Sequence, residues 1–445
     1  MPRATAAAPE ALLLFAVIFG PLAFGAVESW SRPILEIDLL LMAFFCARRG
    51  GGKLSSPVHR TLLPAVLALI AIGVLQLLHP RPLALPASLL PFTVDPAATL
   101  RALVLWSSYA ALLWAAPQVL SSSRARARFA WTLFGVGAFI ALVGILQLGQ
   151  GNTAYYGLRL VRRGDPFGPY VNRDHAASFL VMSAFVGGGL FLSRWRELRG
   201  RETVGQKSDL VAAQALMFFF LALVLAGVLM AKSRGAFNSF FLSLWAVSLL
   251  STRFIQSRAT RLSVRAVLGV LVPGYALFLA LHPVYIGYVL STPDVSTAYR
   301  LSMYRGGVNL VKDFPLWGTG LSSVQSAFPA YQEKMVVGLV DHVHSDWLEL
   351  PMQLGLTGAL ILAAGFISFF ARILRSWLRD PSLSSRLLTA GALCAVFAFL
   401  VHQSVDFSFQ IPANVAIFLL ILAYLNAHLY FDRTQSLWDA PRHGA

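Results

Sequence analysis

Two kinds of side chain in this sequence are suited to chemistry, and they lie far apart along the chain. The first is a pair of histidines in Asp341-His342-Val343-His344-Ser345-Asp346-Trp347-Leu348-Glu349, a polar stretch that runs straight into an apolar one. The second is a set of basic residues between apolar runs: Arg159, Arg162, Arg163 and Arg173, then Lys232 and Arg234, then Arg300, Arg305, Lys312 and Lys334. A histidine at the start of a helix meets the positive end of the helix dipole, which disfavours the imidazolium. The neutral ring is the form that accepts a proton. Arginine forks hold phosphate oxygens in pairs and stabilise the charge that grows as a phosphate or pyrophosphate departs. Such a set suits loss of a phosphorylated leaving group with deprotonation of an incoming hydroxyl, and no metal is required when protein supplies the cations.

Other chemistries lack their residues. The chain holds no Gly-x-x-x-x-Gly-Lys-Ser/Thr loop, no His-Glu-x-x-His, no Gly-x-Ser-x-Gly elbow and no Asp-x-Asp pair. This argues against a nucleoside triphosphatase, a zinc protease, a serine hydrolase and a metal-dependent transferase using nucleotide sugars. Cys46 and Cys394 sit far apart inside apolar runs, with neither metal-ligand spacing nor a disulfide framework, and read as packing residues. No metal and no cofactor is expected.

The elements that must position these residues belong to a membrane protein. Of 445 residues, 57% are apolar, against about 45–50% in ordinary globular proteins. The net charge of +16 would suggest nucleic acid or an anionic surface in a soluble protein. Here the basic residues fall in short clusters between apolar runs, the orientation signal of a multi-spanning protein, so nucleic acid is not an expected partner. At about 17–25 residues per span, the predicted spans are 10–28, 33–47, 61–79, 98–120, 128–148, 175–193, 210–231, 235–251, 263–282, 346–371, 386–402 and 411–430. Lipid leaves helices or closed barrels as the ways to satisfy a backbone, and long unbroken apolar runs choose helices. The expected fold is an all-α polytopic bundle of about twelve transmembrane helices. Residues 1–282 carry nine of them with an outer loop at 149–174, residues 283–344 form a large outer loop, residues 345–430 hold the last three helices, and residues 431–445 are a tail.

More than half of the 36 lysines and arginines collect in alternate loops on one side, beginning with Arg48, Arg49, Lys53 and Arg60. That side is expected to be cytoplasmic, with both termini on it. Arg3 before an apolar run and the small residues near Ala23 to Ala26 would also fit a cleaved signal peptide, which leaves the topology unchanged. The basic residues of the first paragraph then lie outside, against the bias, which points to an anionic ligand on the outer face. Contact with lipid phosphates is the plainer alternative.

The loop 283–344 is too long to be a mere connection. Asp294 or Ser296 can cap a helix that continues to Asp313 and stops before Pro315. Within it Arg300, Tyr304, Gly307 and Val311 recur at helical spacing and share one face. Arg305 points roughly 140° away from Arg300, so different work is expected of the two. Trp317-Gly318-Thr319-Gly320 is a predicted turn, and a second short helix over about 322–336 leads back to the membrane. The helix from about Ser345 to Arg372 would be roughly 42 Å long against a hydrocarbon core of about 30 Å. Its first turns stand above the core, and Pro351 marks the expected kink.

Several of these stretches together resemble the O-antigen ligase and polymerase superfamily. They are Ser233-Arg234-Gly235-Ala236, Tyr299-Arg300-Leu301, Asp313-Phe314-Pro315-Leu316-Trp317-Gly318-Thr319-Gly320-Leu321, His344-Ser345-Asp346-Trp347-Leu348-Glu349 and Leu354-Gly355-Leu356-Thr357-Gly358. The earlier Phe167-Gly168-Pro169-Tyr170-Val171-Asn172-Arg173-Asp174-His175-Ala176 resembles a segment of members tied to exopolysaccharide and O-antigen assembly, with Asp174 where asparagine is commoner. The resemblance covers roughly residues 140–370, and its specificity lies in the order and spacing of short motifs.

The resemblance implies a GT-C-like glycosyltransferase of the bacterial inner membrane that takes a glycan from undecaprenyl pyrophosphate on the periplasmic face and passes it to an acceptor hydroxyl. It matches Arg234 and Arg300 to the arginines that engage the donor pyrophosphate, with Arg305 a further candidate, and His344 to the histidine that activates the acceptor. Direct displacement would invert the anomeric centre without a metal. Asn172, Arg173, His175, Tyr304, His342, Asp346 and Glu349 are candidate donor or acceptor contacts, and His402, Gln403 and Asp406 at another outer helix end are weaker ones. Each has a duller reading: a snorkelling arginine for Arg234, a helix cap for Asn172 and its neighbours, and a cap of its own helix for His344. The acceptor is expected to be lipid A core, as in a ligase, with a second lipid-linked repeat or a protein hydroxyl as alternatives. A transporter or flippase is the competing class. It fits poorly, because the spans are nearly free of charge, no half-repeat is visible and the polar residues gather on one face.

Overall fold

The computed structural model describes residues 2–50, 56–83, 89–151, 154–156, 159–160, 165–199, 204–281 and 295–438. Each expected span corresponds to a helix: α1 (Pro2–Leu22), α2 (Ser31–Arg48), α3 (Pro57–Leu78), α4 (Pro96–Val119), α5 (Ser123–Gly149), α6 (Arg173–Arg199), α7 (Val204–Met230), α8 (Arg234–Ser251) and α9 (Arg258–Leu281) come first. After the outer elements α10 (Val295–Asp313) and α11 (Val324–Ala327) follow α12 (Asp346–Leu378), α13 (Leu383–His402) and α14 (Pro412–Trp438). A two-residue antiparallel pair, β1 (Ala154–Tyr155) with β2 (Arg159–Leu160), precedes α6. The protein is an all-α, multi-pass membrane protein. Among the described residues nine helices, α3 to α8 and α12 to α14, are long and apolar enough to cross a membrane. The apolar part of α1, Ala8–Leu22, is shorter than these, and α2 carries Arg32, Glu36, Asp38 and Arg48 within its 18 residues.

α14 is the central helix, with 94% of its membrane-length window buried. Its Asn414 accepts a hydrogen bond from the Tyr170 hydroxyl (2.8 Å) and donates to the His175 carbonyl (3.0 Å), which fastens the start of α6 to the middle of the bundle. α6 and α13 touch backbone to backbone: a Cβ on Gly391 would lie 2.4 Å from the Phe185 carbonyl oxygen. Side-chain caps start three helices where the sequence offers them. Asp95 caps α4, Ser233 caps α8 and Ser382 caps α13, each accepting from a backbone N–H of the first turn.

The outer cap is built on α10, whose expected shared face looks toward α12. The Tyr304 hydroxyl donates to the His344 carbonyl (3.0 Å), and a Cβ on Gly307 would meet Leu348 at 2.8 Å. Phe92, Met303, Leu310, Phe314, Phe328 and Val343 form a buried cluster that gives the cap a small core of its own. The expected helix over 322–336 is a good deal shorter, consisting of α11 and one 3-10 turn at Phe328–Tyr331. Ser322 is left-handed (φ 61°) and Gln332 is extended, so helical geometry is interrupted on both sides.

The kink expected at Pro351 lies elsewhere. α12 continues through Pro351 and opens at Gly355, whose φ of 65° and ψ of −179° belong to a region that only glycine enters freely. Freed groups on both sides of Gly355 are taken up by the segment from Pro315 to Gly320. Thr319 N–H donates to the Met352 carbonyl (2.9 Å), Gly320 N–H to the Gln353 carbonyl (3.1 Å), and Leu356 N–H to the Pro315 carbonyl (2.7 Å). Gln76 of α3 completes the junction: its amide donates to the Trp317 and Gln353 carbonyls (2.7 and 2.9 Å) and accepts from Leu321 N–H (3.0 Å). Two of the stretches that carry the resemblance, 313–321 and 354–358, are thus the two halves of one backbone joint.

Candidate functional site

The polar ends of α6, α8, α10, α12 and α13 converge on the segment 402–410. At the head of α6, the Asn172 carboxamide accepts from Asp174 N–H (2.8 Å), the local cap that its residue type favours. Arg173 pairs with Asp165 (2.6 Å). Asp174 and His175, by contrast, face the convergence. Asp174 lies 3.9 Å from Arg300, and His175 Nε2 lies 3.5 Å from the carboxylate of Asp406. Arg300 reaches over from α10 and donates through Nη1 to the Val405 carbonyl (3.1 Å).

Ser233-Arg234-Gly235 opens α8 against the same segment. A Cβ on Gly235 would come within 2.7 Å of the His402 ring and 2.9 Å of Val405, so glycine is what lets His402 lie against α8. Arg234 is exposed at that rim. Arg305 is not brought to it: its side chain is 67% exposed and pairs with Glu333 (3.8 Å). The roughly opposite directions expected for Arg300 and Arg305 are what the helix delivers. Arg162 and Arg163 lie outside the described residues.

Phe407 is the centre of the group. The His342 ring stacks on it at 4.6 Å, while His175 and His344 meet it edge-on at 4.6 and 4.9 Å. Its neighbour Asp406 is buried between imidazoles. Burial favours the acid form, but His175, His402 and a hydrogen bond from the Ser408 hydroxyl (2.7 Å) outweigh it and hold the Asp406 carboxyl well below the usual range. Asp346 serves as a clamp for this segment: its carboxylate accepts from Phe409 N–H (2.7 Å) and the Gln410 amide (3.0 Å), while its own N–H is shared by the Gln403 and Asp406 carbonyls.

The two histidines of the opening stretch have opposite surroundings. His342 Nδ1 is 2.8 Å from Glu349, a fully buried carboxylate that also accepts from Val343 N–H (3.2 Å) and the Gln353 amide (3.1 Å). Burial opposes protonation of His342, yet Glu349, with Asp341 and Asp406, holds it above the ordinary histidine value. His344 adopts a left-handed backbone (φ 56°), a strained state for a residue with a Cβ. Burial, seconded by Arg300 and His175, pushes its imidazole down to about 4. It is neutral, as expected from its position, but burial rather than a helix dipole is the main cause.

Sequence reasoning missed Phe407 and the Val405 carbonyl, because neither a lone phenylalanine nor a backbone oxygen carries a pattern. Asp406 had a faint signal in lying four residues after His402 at an outer helix end.

Residues 219–363 match the family model described as O-antigen ligase. The match runs from within α7 to within α12 and supports the O-antigen ligase and polymerase superfamily. It includes Arg234, Arg300, His342, His344 and Glu349, and stops short of His175 and Asp406. No curated protein matches the chain.

Proposed function

We propose that this chain, an O-antigen ligase and polymerase superfamily member across residues 219–363, is a glycosyltransferase of the bacterial inner membrane. It moves a glycan from undecaprenyl pyrophosphate to an acceptor hydroxyl on the periplasmic face, with both termini cytoplasmic. The observation that carries the reading is the meeting of Arg300 with buried, uncharged His344 at one backbone segment: Arg300 is bonded at Val405 and His344 packs on Phe407. A guanidinium beside a neutral imidazole supplies both halves of the reaction. Arg300, and Arg234 at the neighbouring helix start, hold the pyrophosphate oxygens as charge develops on them. An imidazole takes the proton of the acceptor hydroxyl, a role to which the family resemblance assigns His344. Displacement of pyrophosphate from the far side inverts the anomeric centre.

The acceptor is proposed to be lipid A core. Deletion of the gene followed by gel analysis of surface polysaccharide tests this. Unsubstituted core with accumulated lipid-linked polymer supports the ligase. Core bearing a single repeat means a polymerase instead, and unchanged lipopolysaccharide with loss of a secreted glycan means an exopolysaccharide enzyme. Arg300→Ala and Arg234→Ala should abolish transfer while the protein still inserts. Full transfer by both variants would refute the pyrophosphate clamp.

A further inference from the structure

We infer that the cap rests an apolar foot in the lipid leaflet on its own side of the membrane: Leu89, Leu90 and Leu316, set around the Trp317 indole, form a surface whose partner is lipid. The inference is independent of the reaction proposed above. Leu89 and Leu90 are 82% and 60% exposed and Leu316 is 48% exposed, although all three belong to segments outside the helices. Exposed leucines gathered at one place mark a contact surface. The two segments are fastened to each other. The Trp317 indole N–H donates to the Leu89 carbonyl (2.9 Å) and Val94 N–H to the Thr319 carbonyl (3.0 Å), while a Cβ on Gly320 would run into Thr93. The leucines therefore keep a fixed position, and the indole enters an apolar setting with its donor already satisfied.

Height decides the partner. Leu356 N–H donates to the Pro315 carbonyl (2.7 Å), so Leu316 stands beside the rung of α12 that follows Gly355. From Leu356 to Arg375, in the last turn of α12, the helix rises roughly 28 Å, close to the hydrocarbon thickness of about 30 Å. α3 sets a similar level from another side. Its Gln76 holds the Trp317 carbonyl (2.7 Å), and the distance along the helix from Arg60 in the first turn to Gln76 is roughly 24 Å. Both helices thus put the foot at the boundary between acyl chains and headgroups. Below it their exposed faces are apolar, with Leu75 and Leu78 on α3 and Leu356 and Leu360 on α12, and the foot continues that face past the helix ends. Composition agrees. Residues 314–324 contain no charged side chain and residues 74–94 no carboxylate, so anionic headgroups meet no repulsion there. The exposed charges Arg305, Lys312 and Lys334 belong to α10 and to the stretch beyond Tyr331 instead. A soluble partner would not require a surface matched in height to the hydrocarbon boundary; a lipid leaflet does.

The test uses the full chain carrying Leu89→Cys, Leu316→Cys or Arg305→Cys, purified and reconstituted in vesicles of phosphatidylethanolamine and phosphatidylglycerol. Cys46 and Cys394 are buried, so the parent protein treated with the same thiol-reactive, environment-sensitive dye is the blank. The dye at 89 and at 316 should emit to the blue of the dye at 305 and be shielded from iodide in the water. It should lose about half or more of its emission when bromines are placed high on the lipid chains, within the roughly 5–10 Å that interfacial apolar groups reach. Two labelled sites on separate segments guard against a local disturbance by either substitution. Iodide quenching at 89 and 316 equal to that at 305, without quenching by brominated lipid, overturns the inference. Shielding from both quenchers also overturns it and assigns the surface to a second copy of the chain.

Discussion

Gly235 and His402 are packed so closely that a methyl group on the glycine would stand 2.7 Å from the imidazole Cδ2. His402 begins the segment that carries Val405, Asp406 and Phe407, so this contact sets the height of the whole convergence. Gly235→Ala is expected to shift that segment by a few tenths of an ångström and to reduce transfer about tenfold or more, on the scale at which misplacement of reacting groups is felt. Gly269→Ala, with open space around its α-carbon, is the matched control and should be silent. Transfer assayed in membranes, normalised to inserted protein, decides it.

His344 yields a pH prediction whose sign is fixed by its surroundings. Its folded-state value is depressed to about 4, below the ordinary histidine value of about 6.5. Between those limits the unfolded chain binds the proton and the folded chain does not, so stability is full above about pH 6.5 and declines as pH falls toward 4. His344→Gln should lose part of that acid sensitivity. Thermal midpoints of the two detergent-solubilised proteins, compared from pH 4.5 to 7.5, should converge at the acid end.

Asp406→Asn removes the one carboxylate set between His175 and His402. Asp406 is buried and accepts a hydrogen bond from the Ser408 hydroxyl; a hydrogen bond to a charged group is worth about 1.5–3 kcal/mol, and a fall in thermal midpoint is expected. The Asp406 carboxyl is held below its usual range, so its contribution is present above about pH 4 and is lost only as pH falls below that. At neutral pH the parent should therefore be the more stable protein by the full margin, read by fluorescence-detected gel filtration after heating.

Arg305 provides the contrast to Arg300. It is exposed and pairs with Glu333 in a contact of the kind worth about 0–1 kcal/mol. Arg305→Ala should leave transfer within about threefold of the parent, while Arg300→Ala loses about a hundredfold or more, as for removal of a charge-stabilising donor. Equal losses in the two would show that the outer field, rather than a placed guanidinium, matters to the donor.

The helices were legible because apolar runs of membrane length leave the backbone few options, and α10 was legible from its spacing and the proline beyond it. The shared face of Arg300 and Tyr304, and the opposite heading of Arg305, followed from helical periodicity alone. What was not legible depends on contacts between distant segments. Pro351 is the stronger local signal for a kink, yet α12 opens at Gly355 because the 317–320 turn is there to receive the freed carbonyls. In the same way His342 and His344 differ by only one intervening residue, and nothing in their spacing reveals that Glu349 turns back to one of them. Phe407 gathers three histidines through tertiary packing, which no local pattern encodes.

The joint at Gly355 bears on how substrates get in. The outer cap is held to the bundle by main-chain bonds from residues 319 and 320 into the opened rung of α12 and by both ends of the Gln76 amide. Lifting the cap at this point would strand several peptide groups near the membrane, where each unsatisfied group costs several kcal/mol. That corner is a fixed post, and under the proposed function a lipid-borne glycan would have to reach the site along the flanks of the cap.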